Sequence, residues 1–527
     1  MSTRWENMAD PEALEVFRSI PQKGINFWNE WKKNRAGVDL SFFELQGNLD
    51  LANADLSEVD FHGSKFYRKE PYYYTIFRGA NLSGANLSGA DLIGARLNGA
   101  NLNGADLSGA NIDQADLSDA DLSDANVKDT SFMGTNLKGA KLKNICWASG
   151  HFVAASFNWV DISEANLKGA YLDGANFENL DLSQKDLEFA YLHEANLKGT
   201  NLRKANLSGA DLGGAHLNGA NLNGADLSGA HLGGAHLNRA NLNGADLSGA
   251  NINADLRDAD LCGADLCESD INADLSGANL NRANLRGARL HQTNLSGANL
   301  RAACLHGSNL SGADFSGVDF SEVDLSGADL TRSNFSKGKF CGSILNGADL
   351  RDANLSGADL SAANLSKSDL QYADLTEANL YQANLKNANT GYANFSKAIL
   401  SNANFEDARV FWSWLLSASK LDGANLSQAD FDSMDLSNRD LSGVNLSKAY
   451  LDEAKLCGAN LSGANLSGAY LAYADLKDAN LSGADLRQAD LSRAKFSWAD
   501  ILKASRLEGA FLAGANFKDL DLSKRNL

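Results

Sequence analysis

Three histidines form the local group of imidazole side chains with the best prospect of binding a metal ion: His216, His231 and His236. His216 and His236 are separated by 20 residues, and His231 stands five residues before His236. A structural or catalytic metal site needs three or four ligands directed at one point. The group is therefore either a two-histidine metal contact or an ordinary column of solvated side chains, and the missing third ligand favours the column.

The cysteines offer a second set of reactive side chains, but their spacing argues against a joint role. There are six, and they do not form closely spaced pairs of the kind that zinc sites and redox motifs use. We expect reduced thiols, with no disulfide framework and no zinc site. The six are Cys146, Cys262, Cys267, Cys304, Cys341 and Cys457.

Motifs of the common enzyme classes are absent from the sequence. It contains no nucleotide-binding glycine loop, no zinc-protease helix motif and no nucleophile elbow. Aspartate is abundant, but it recurs at a fixed position of a short repeat, which is typical of a solvated wall. We therefore expect no enzyme activity, no catalytic residue and no bound cofactor or metal.

The net negative charge of the chain indicates which classes of partner it is suited to bind. The chain has 527 residues, with 47 basic and 66 acidic side chains, and a formal charge of −19. Such an acidic protein is poorly suited to direct binding of nucleic acid, which needs a basic surface. No run of eighteen apolar residues suggests a membrane span, and the first residues lack the pattern of a secretory signal. We expect a soluble cytoplasmic protein.

A five-residue period dominates the sequence from Phe77 onward. A large apolar residue, here called position i, recurs every five residues, and i−2 is usually Ala, as in Ala85-Asn86-Leu87-Ser88-Gly89. Position i−1 is Asn or Asp, and Ser and Gly follow at i+1 and i+2. Since side chains alternate along an extended chain, Ala and Leu should point inward and Asn or Asp outward. Ser and Gly suit a corner.

One such unit cannot bury its own leucine, so the units must close into coils that stack. Four units would make a coil of about 20 residues. All three prolines, Pro11, Pro21 and Pro71, precede the regular array, as expected where backbone N–H groups are needed for pairing between coils. The small Ala positions predict a narrow interior without a substrate cavity.

The Ala-(Asn/Asp)-Leu-Ser-Gly units resemble the pentapeptide-repeat family, including its cyanobacterial members. The resemblance implies an all-β fold, a right-handed quadrilateral parallel β-helix, here a solenoid of about 23 coils over residues 77–527. The register changes near 252–256 and 271–275, where one residue is missing, and near 415–421 and 501–507, where one is added. The two short steps should lie almost above one another and produce a kink or groove.

Residues 1–36 predict a short helical segment in front of the array. Asp10 and Pro11 form a helix start, and apolar residues follow at helical spacing before Pro21. The segment is interpreted as a cap on the open edge of the first coil, with a docking face formed by Trp28 and Trp31 as the alternative. A similar Trp-Asn-Glu-Trp entry segment occurs in cyanobacterial members of the family.

Residues 37–76 predict an irregular first coil followed by an aromatic side loop. The loop contains Tyr72, Tyr73 and Tyr74, and a second aromatic break contains Trp412 and Trp414. These rings either pack back on the wall of the coil or contact a partner.

The function predicted from these features is a non-catalytic scaffold that presents an acidic β-helix to a protein partner. The alternative is a DNA mimic that binds DNA gyrase or another DNA-binding protein, as some family members do. Four aspartates in one coil are candidate contacts, although a ring of acids suits mimicry less well than a stripe. The resemblance also suggests a homodimer through the last coil, and a regulator of transport or differentiation stays open. The four acids are Asp314, Asp319, Asp324 and Asp329.

Overall fold

The structure, a computed structural model, describes residues 10–44, 49–68, 73–147, 150–162, 164–291, 293–410 and 420–514. The chain divides into two compact units, which we call unit 1 (residues 1–273) and unit 2 (residues 274–527). The five-residue repeat runs through the described parts of both units. Each unit is described on its own below.

Three short helices open unit 1: α1 (Pro11–Arg18), α2 (Ile20–Lys23) and α3 (Ile25–Lys32). The predicted N-cap is confirmed, because the Asp10 carboxylate accepts hydrogen bonds from the backbone N–H groups of Glu12 (3.0 Å) and Ala13 (3.3 Å). Pro21 lies in the first turn of α2, where a missing N–H does no harm. The helical pattern therefore continues across Pro21, within the range 1–36 that the sequence predicts to be helical.

Parallel backbone pairing joins residues that lie 20 positions apart. Asn206, for example, pairs with Asp186 on one side and with Asp226 on the other. The Leu207 N–H donates to the Asp226 carbonyl (2.6 Å), and the Asn206 N–H donates to the Lys185 carbonyl (2.9 Å). Four five-residue units thus complete one turn of a parallel β-helix, as the sequence predicts.

Burial follows the predicted alternation. In the segment that begins at Ala205, Ala205 and Leu207 are buried, and Asn206 between them is half-buried. Gly209 forms the corner with a φ of 63°. This left-handed conformation costs a residue with a Cβ more than it costs glycine, which explains why Gly recurs at i+2.

Large apolar side chains stack directly on one another inside the coils. Phe157 and Phe177 in unit 1 are parallel with ring centroids 4.8 Å apart, and Phe320 and Phe340 in unit 2 stack at 5.0 Å. Where Thr replaces Ala at i−2, its hydroxyl bonds to the backbone, as Thr130 does with the Leu107 carbonyl (2.8 Å). Side chains therefore fill the interior of these described coils.

The two short steps lie in adjacent coils, as predicted. Strands β3 (Asn251–Ile252) and β4 (Asp270–Ile271) pair in parallel, with Ile252 opposite Ile271. Pairs that span the first short step are 19 residues apart, for example His236 with Asp255. A kink or groove at this place stays a prediction.

Each of the two long steps lengthens one coil of unit 2 to 21 residues. Asn404 pairs with Asn425, and Asp485 pairs with Arg506. The second of these coils contains helix α4 (Trp498–Ile501), which accommodates the added residue. Strand β6 (Arg409–Val410) precedes the first long step and pairs in parallel with β5 (Asn389–Thr390).

The predicted aromatic side loop of unit 1 is a β-hairpin. Its strands β1 (Tyr67–Arg68) and β2 (Tyr73–Tyr74) are antiparallel. Coil pairing across the hairpin joins residues 26 positions apart, such as Asp50 with Ile76. The coils on either side of the hairpin therefore still pair in parallel.

Candidate interaction surfaces

The outward Asn and Asp side chains at i−1 stabilise the corners of the coils. The Asn86 Oδ1 accepts hydrogen bonds from the backbone N–H (3.1 Å) and hydroxyl (2.6 Å) of Ser88. Amides also bond between coils, as the Asn101 Nδ2 donates to the Asn81 Oδ1 (3.1 Å). Such side-chain bonds to the local backbone are typical of turns. The recurrence of Asn and Asp is thus explained by structure, without a catalytic role.

The four predicted acids of unit 2 lie on four successive segments of one coil. Each uses Oδ1 to accept the N–H of the residue two positions on, at 2.9–3.1 Å. Asp314 also accepts from the Asn334 side chain (2.9 Å), and the Lys339 ammonium lies 3.6 Å from Asp319. The structure therefore distributes these acids around the coil instead of bringing them together.

Asp319 shows how the corner affects a carboxylate. Desolvation by partial burial acts to raise its pKa, but hydrogen bonds from Ser321 and the charge of Lys339 outweigh that effect. The net result is a pKa of Asp319 below its ordinary value. The group therefore stays ionised at neutral pH and keeps its negative charge at the surface.

The N-terminal helices cover the first coil, as the cap interpretation predicts. Trp28 is fully buried, its ring lies 5.0 Å from that of Phe17, and its indole N–H donates to the Asp55 carbonyl (2.7 Å). This burial contradicts the alternative role of Trp28 as part of a docking face. Trp31 is half-buried; its indole N–H donates to Glu12 (3.1 Å) and Arg35 lies over its ring.

The tyrosine hairpin is described only in part. The Tyr74 ring lies over Gly94, where a Cβ would come within 2.5 Å of the ring, and Tyr74 is nevertheless 36% exposed. Tyr72, Trp412 and Trp414 lie outside the described residues, and only the backbone of Tyr73 is described. Partner contacts by these residues stay a prediction.

The predicted histidine column is present in unit 1. His216 and His236 stack with ring centroids 5.1 Å apart. Desolvation, together with repulsion from His236 and Lys198, lowers the pKa of His216 below its ordinary value. Across the described ranges, no group of three or more His, Cys, Asp or Glu side chains has the arrangement of a metal site.

Comparison with protein families gives a match along most of the chain. The family model described as "Pentapeptide repeats" matches residues 75–146, 151–184, 186–254, 271–411 and 415–501. The chain belongs to the pentapeptide-repeat family. Members of this family fold as right-handed β-helices, in agreement with the parallel pairing above.

Several solved pentapeptide-repeat proteins are similar to parts of the chain. HetL from the cyanobacterium Nostoc, a protein involved in heterocyst differentiation regulation, is 34% identical over 50% of this chain and 89% of its own, with a TM-score of 0.19. A protein from the cyanobacterium Cyanothece is 26% identical over 22% of this chain and 89% of its own (TM-score 0.20). A protein from the Arabidopsis thaliana thylakoid lumen is 39% identical over 19% and 70% (TM-score 0.19). No curated protein matches the chain.

Within this pentapeptide-repeat frame, exposed tyrosines form stacked pairs that the sequence analysis missed. The rings of each pair are nearly parallel, with centroids 4.8–5.1 Å apart. A signal was present, because the two members of each pair stand 20 residues apart at the same repeat position. The pairs are Tyr171–Tyr191 in unit 1, and Tyr372–Tyr392 and Tyr450–Tyr470 in unit 2.

The described helices do not include one with the length and apolar character that a membrane crossing requires.

Proposed function

We propose that this pentapeptide-repeat protein is a non-catalytic scaffold that binds a protein partner through side chains on the outer surface of its coils. The observation that supports this most directly is the contrast between a uniform frame and a variable exterior. Asp430, Tyr450, Tyr470 and Asp490 occupy one repeat position in successive coils and pair in register. The backbone can therefore display different side chains at a fixed spacing, which suits recognition.

Exposed aromatic side chains are the strongest candidates for the partner contacts. Tyr residues are enriched at protein interfaces because they combine apolar area with a polar group. The burial of Trp28 favours the stacked pairs over the N-terminal segment as the source of specificity.

The proposal is tested by affinity capture with the full-length protein as bait, in lysate of its source organism. We expect a specific protein to be recovered in stoichiometric amount, and to be lost when one tyrosine pair is replaced by asparagine. Asparagine is the residue that the repeat itself uses at i−1, the position of the Tyr171–Tyr191 and Tyr450–Tyr470 pairs, so the change preserves the coil for these two pairs. Recovery of the bait alone in every lysate fraction would instead indicate a self-contained structural protein.

Mimicry of DNA toward gyrase is a weaker second proposal. Its support is the acidity of the chain, with a formal charge of −19. The distribution of Asp314, Asp319, Asp324 and Asp329 around one coil does not favour it, because a duplex-like partner surface needs charge along one side. Inhibition of gyrase supercoiling by micromolar protein would support mimicry, and its absence would argue against it.

We also propose a homodimer, a cytoplasmic location, and no direct contact with nucleic acid or membranes. Most of the last coil, residues 515–527, lies outside the described residues, so the dimer contact rests on the family resemblance alone. Sedimentation equilibrium at micromolar concentrations tests the dimer, and a monomer mass throughout would contradict it. The quadrilateral cross-section and the total of about 23 coils likewise stay predictions.

A further inference from the structure

One face of unit 2 combines stacked tyrosines with acidic side chains. Tyr450 and Tyr470 stack with ring centroids 5.1 Å apart and an angle of 9° between the rings. In the same column, Asp430 precedes the pair by one coil and Asp490 follows it by one coil. We call this column, together with Asp432 and Tyr473 beside it, the acidic tyrosine face.

The tyrosine rings are accessible. Tyr450 and Tyr470 are 45% and 44% exposed, and Tyr473 is 50% exposed. The two rings cover each other on their inner sides, while each outer side is followed by the shorter side chain of an aspartate. A planar cation on an outer side could therefore stack on the ring and approach the neighbouring carboxylate at the same time.

Within residues 420–514, the carboxylates on this face are not engaged in ion pairs. In the adjacent column, Lys455 pairs with Asp435 (4.0 Å) and Lys495 with Asp475 (3.7 Å). Among residues 420–514, by contrast, no Lys or Arg forms an ion pair with Asp430, Asp432, Asp452, Glu453 or Asp490.

Repulsion between these carboxylates is visible at Asp432. Partial desolvation, with repulsion from Asp430, Asp452 and Glu453, raises the pKa of Asp432 above its ordinary value. The N–H of Asp452 opposes this change by donating to Asp432 (3.0 Å). An added cation would relieve the repulsion.

This face itself contains an arginine stacked on a tyrosine. The Arg493 guanidinium lies one coil after Tyr473, 5.4 Å from its ring centroid, and donates to the Tyr473 hydroxyl. Arginine suits such a place better than lysine, because its planar group stacks on a ring and still donates to a carboxylate.

We propose that the acidic tyrosine face is a docking site for an arginine-rich segment of a partner protein. Arginines of the segment stack on the outer sides of Tyr450 and Tyr470 and form ion pairs with Asp430 and Asp490. The inference rests on the proposed function, since it names the chemistry of the partner that the scaffold binds.

A labelled peptide of ten arginines, compared with one of ten lysines, tests the proposal by fluorescence anisotropy with the full-length protein near physiological salt. We expect the arginine peptide to bind more tightly, because both peptides satisfy the carboxylates but only arginine stacks well. The double variant Tyr450→Asn, Tyr470→Asn should weaken arginine-peptide binding by about five- to thirtyfold. The lysine peptide should be affected much less.

The control is Tyr372→Asn, Tyr392→Asn, which removes a stacked pair at the corner position i+2 of the same unit without touching the face. We expect unchanged peptide affinity, and circular dichroism should show that both variants keep the β-helix. Equal affinity for the two peptides, or equal losses in the two variants, would mean non-specific attraction to an acidic protein and would overturn the proposal.

Oxidative footprinting locates the contact independently of these variants. The arginine peptide should protect Tyr450 and Tyr470 from oxidation and leave Tyr372 and Tyr392 reactive; equal reactivity with and without peptide would overturn the assignment. If partner capture from lysate survives Tyr450→Asn, Tyr470→Asn, the scaffold function stands and this docking site fails. The two conclusions can therefore be separated.

Discussion

The stacked tyrosines of the two units lie on the same kind of coil, but the residues that flank them in the adjacent coils differ. Tyr171 and Tyr191 in unit 1 stack at 4.8 Å, and the His151 ring lies tilted against the far side of Tyr171 at 4.9 Å. The Tyr450–Tyr470 pair of unit 2 lies between two aspartates, whereas the unit 1 pair lies between His151 and Asp211. The coil spacing sets the ring separation in both, and the flanking residues alone set the charge around the rings.

The largest effects on stability are expected from the buried leucines behind the tyrosines, which each of the two columns contains. Leu192 and Leu471 are both fully buried directly behind a stacked tyrosine. We expect Leu192→Ala and Leu471→Ala each to lower local stability by about 2–5 kcal/mol, since each leaves a cavity in a filled interior. Hydrogen exchange of the surrounding amides measures the change within each unit. A large effect in one unit and none in the other would show that the frames are not equivalent.

A single substitution should convert the unit 1 column toward the unit 2 pattern. His151→Asp places a carboxylate on each side of the Tyr171–Tyr191 pair, and Asp is common at this repeat position. We expect affinity for the arginine peptide at this column to rise by about fivefold, measured by anisotropy in the Tyr450→Asn, Tyr470→Asn background. His151→Asn is the control, because it removes the imidazole without adding charge. Equal affinity in both would show that flanking carboxylates are not the deciding feature.

The crowding of carboxylates in unit 2 predicts opposite pH effects at two neighbouring aspartates. Because the pKa of Asp432 is raised in the fold, its charge destabilises unit 2 at neutral pH. Asp432→Asn should therefore increase stability at pH 7, and the gain should vanish as the pH falls through the raised pKa and below the ordinary value of about 3.9.

Asp435 supplies the contrasting case. Hydrogen bonds from Ser437, with the charge of Lys455, lower the pKa of Asp435. Asp435→Asn should accordingly decrease stability at pH 7, with the loss vanishing as the pH falls through the ordinary pKa and then the lowered one. Urea unfolding at several pH values measures both variants. Shifts of the same sign would contradict the account.

The smallest expected effect concerns the histidine column of unit 1. Desolvation contributes most to the lowered pKa of His216, and His236 adds repulsion. His236→Asn should raise the pKa of His216 part of the way to its ordinary value, as followed by NMR titration of the ring. An unchanged pKa would show that stacked side chains in adjacent coils do not sense each other's charge, and would weaken the electrostatic comparison of the tyrosine columns.

Much of the fold was predictable because each five-residue unit repeats the same local requirement. The alternation around Leu207, the corner at Gly209 and the helix start at Asp10 all follow from short-range sequence patterns, and the structure confirms them. The stacking of the two short steps followed from counting residues between them. The helices on either side of Pro21 all lie within residues 1–36, the range predicted to be helical, and Pro21 is compatible with the first turn of α2.

The candidate surfaces were less predictable. Trp28 has the residue type of an interface contact, but its position against Phe17 and Asp55 makes it part of the cap. Tyr450 and Tyr470 were not predicted as contacts from the sequence, although their separation of 20 residues brings their rings together. The aromatic residues of the irregular segments were predicted as partner contacts from the sequence, whereas the tyrosines of the regular array were not.

The sequence alone determined the period, the inward and outward positions, and the family to which the chain belongs, because these depend on local alternation and corner geometry. Only the tertiary structure decided which outward side chains become neighbours and which stay exposed. Neighbours across coils depend on the exact number of residues per turn, which ranges from 19 to 26 in the described pairs. One residue more or less changes the separation of paired residues, as between His236 and Asp255 or between Asn404 and Asn425, and so changes which charges and rings meet.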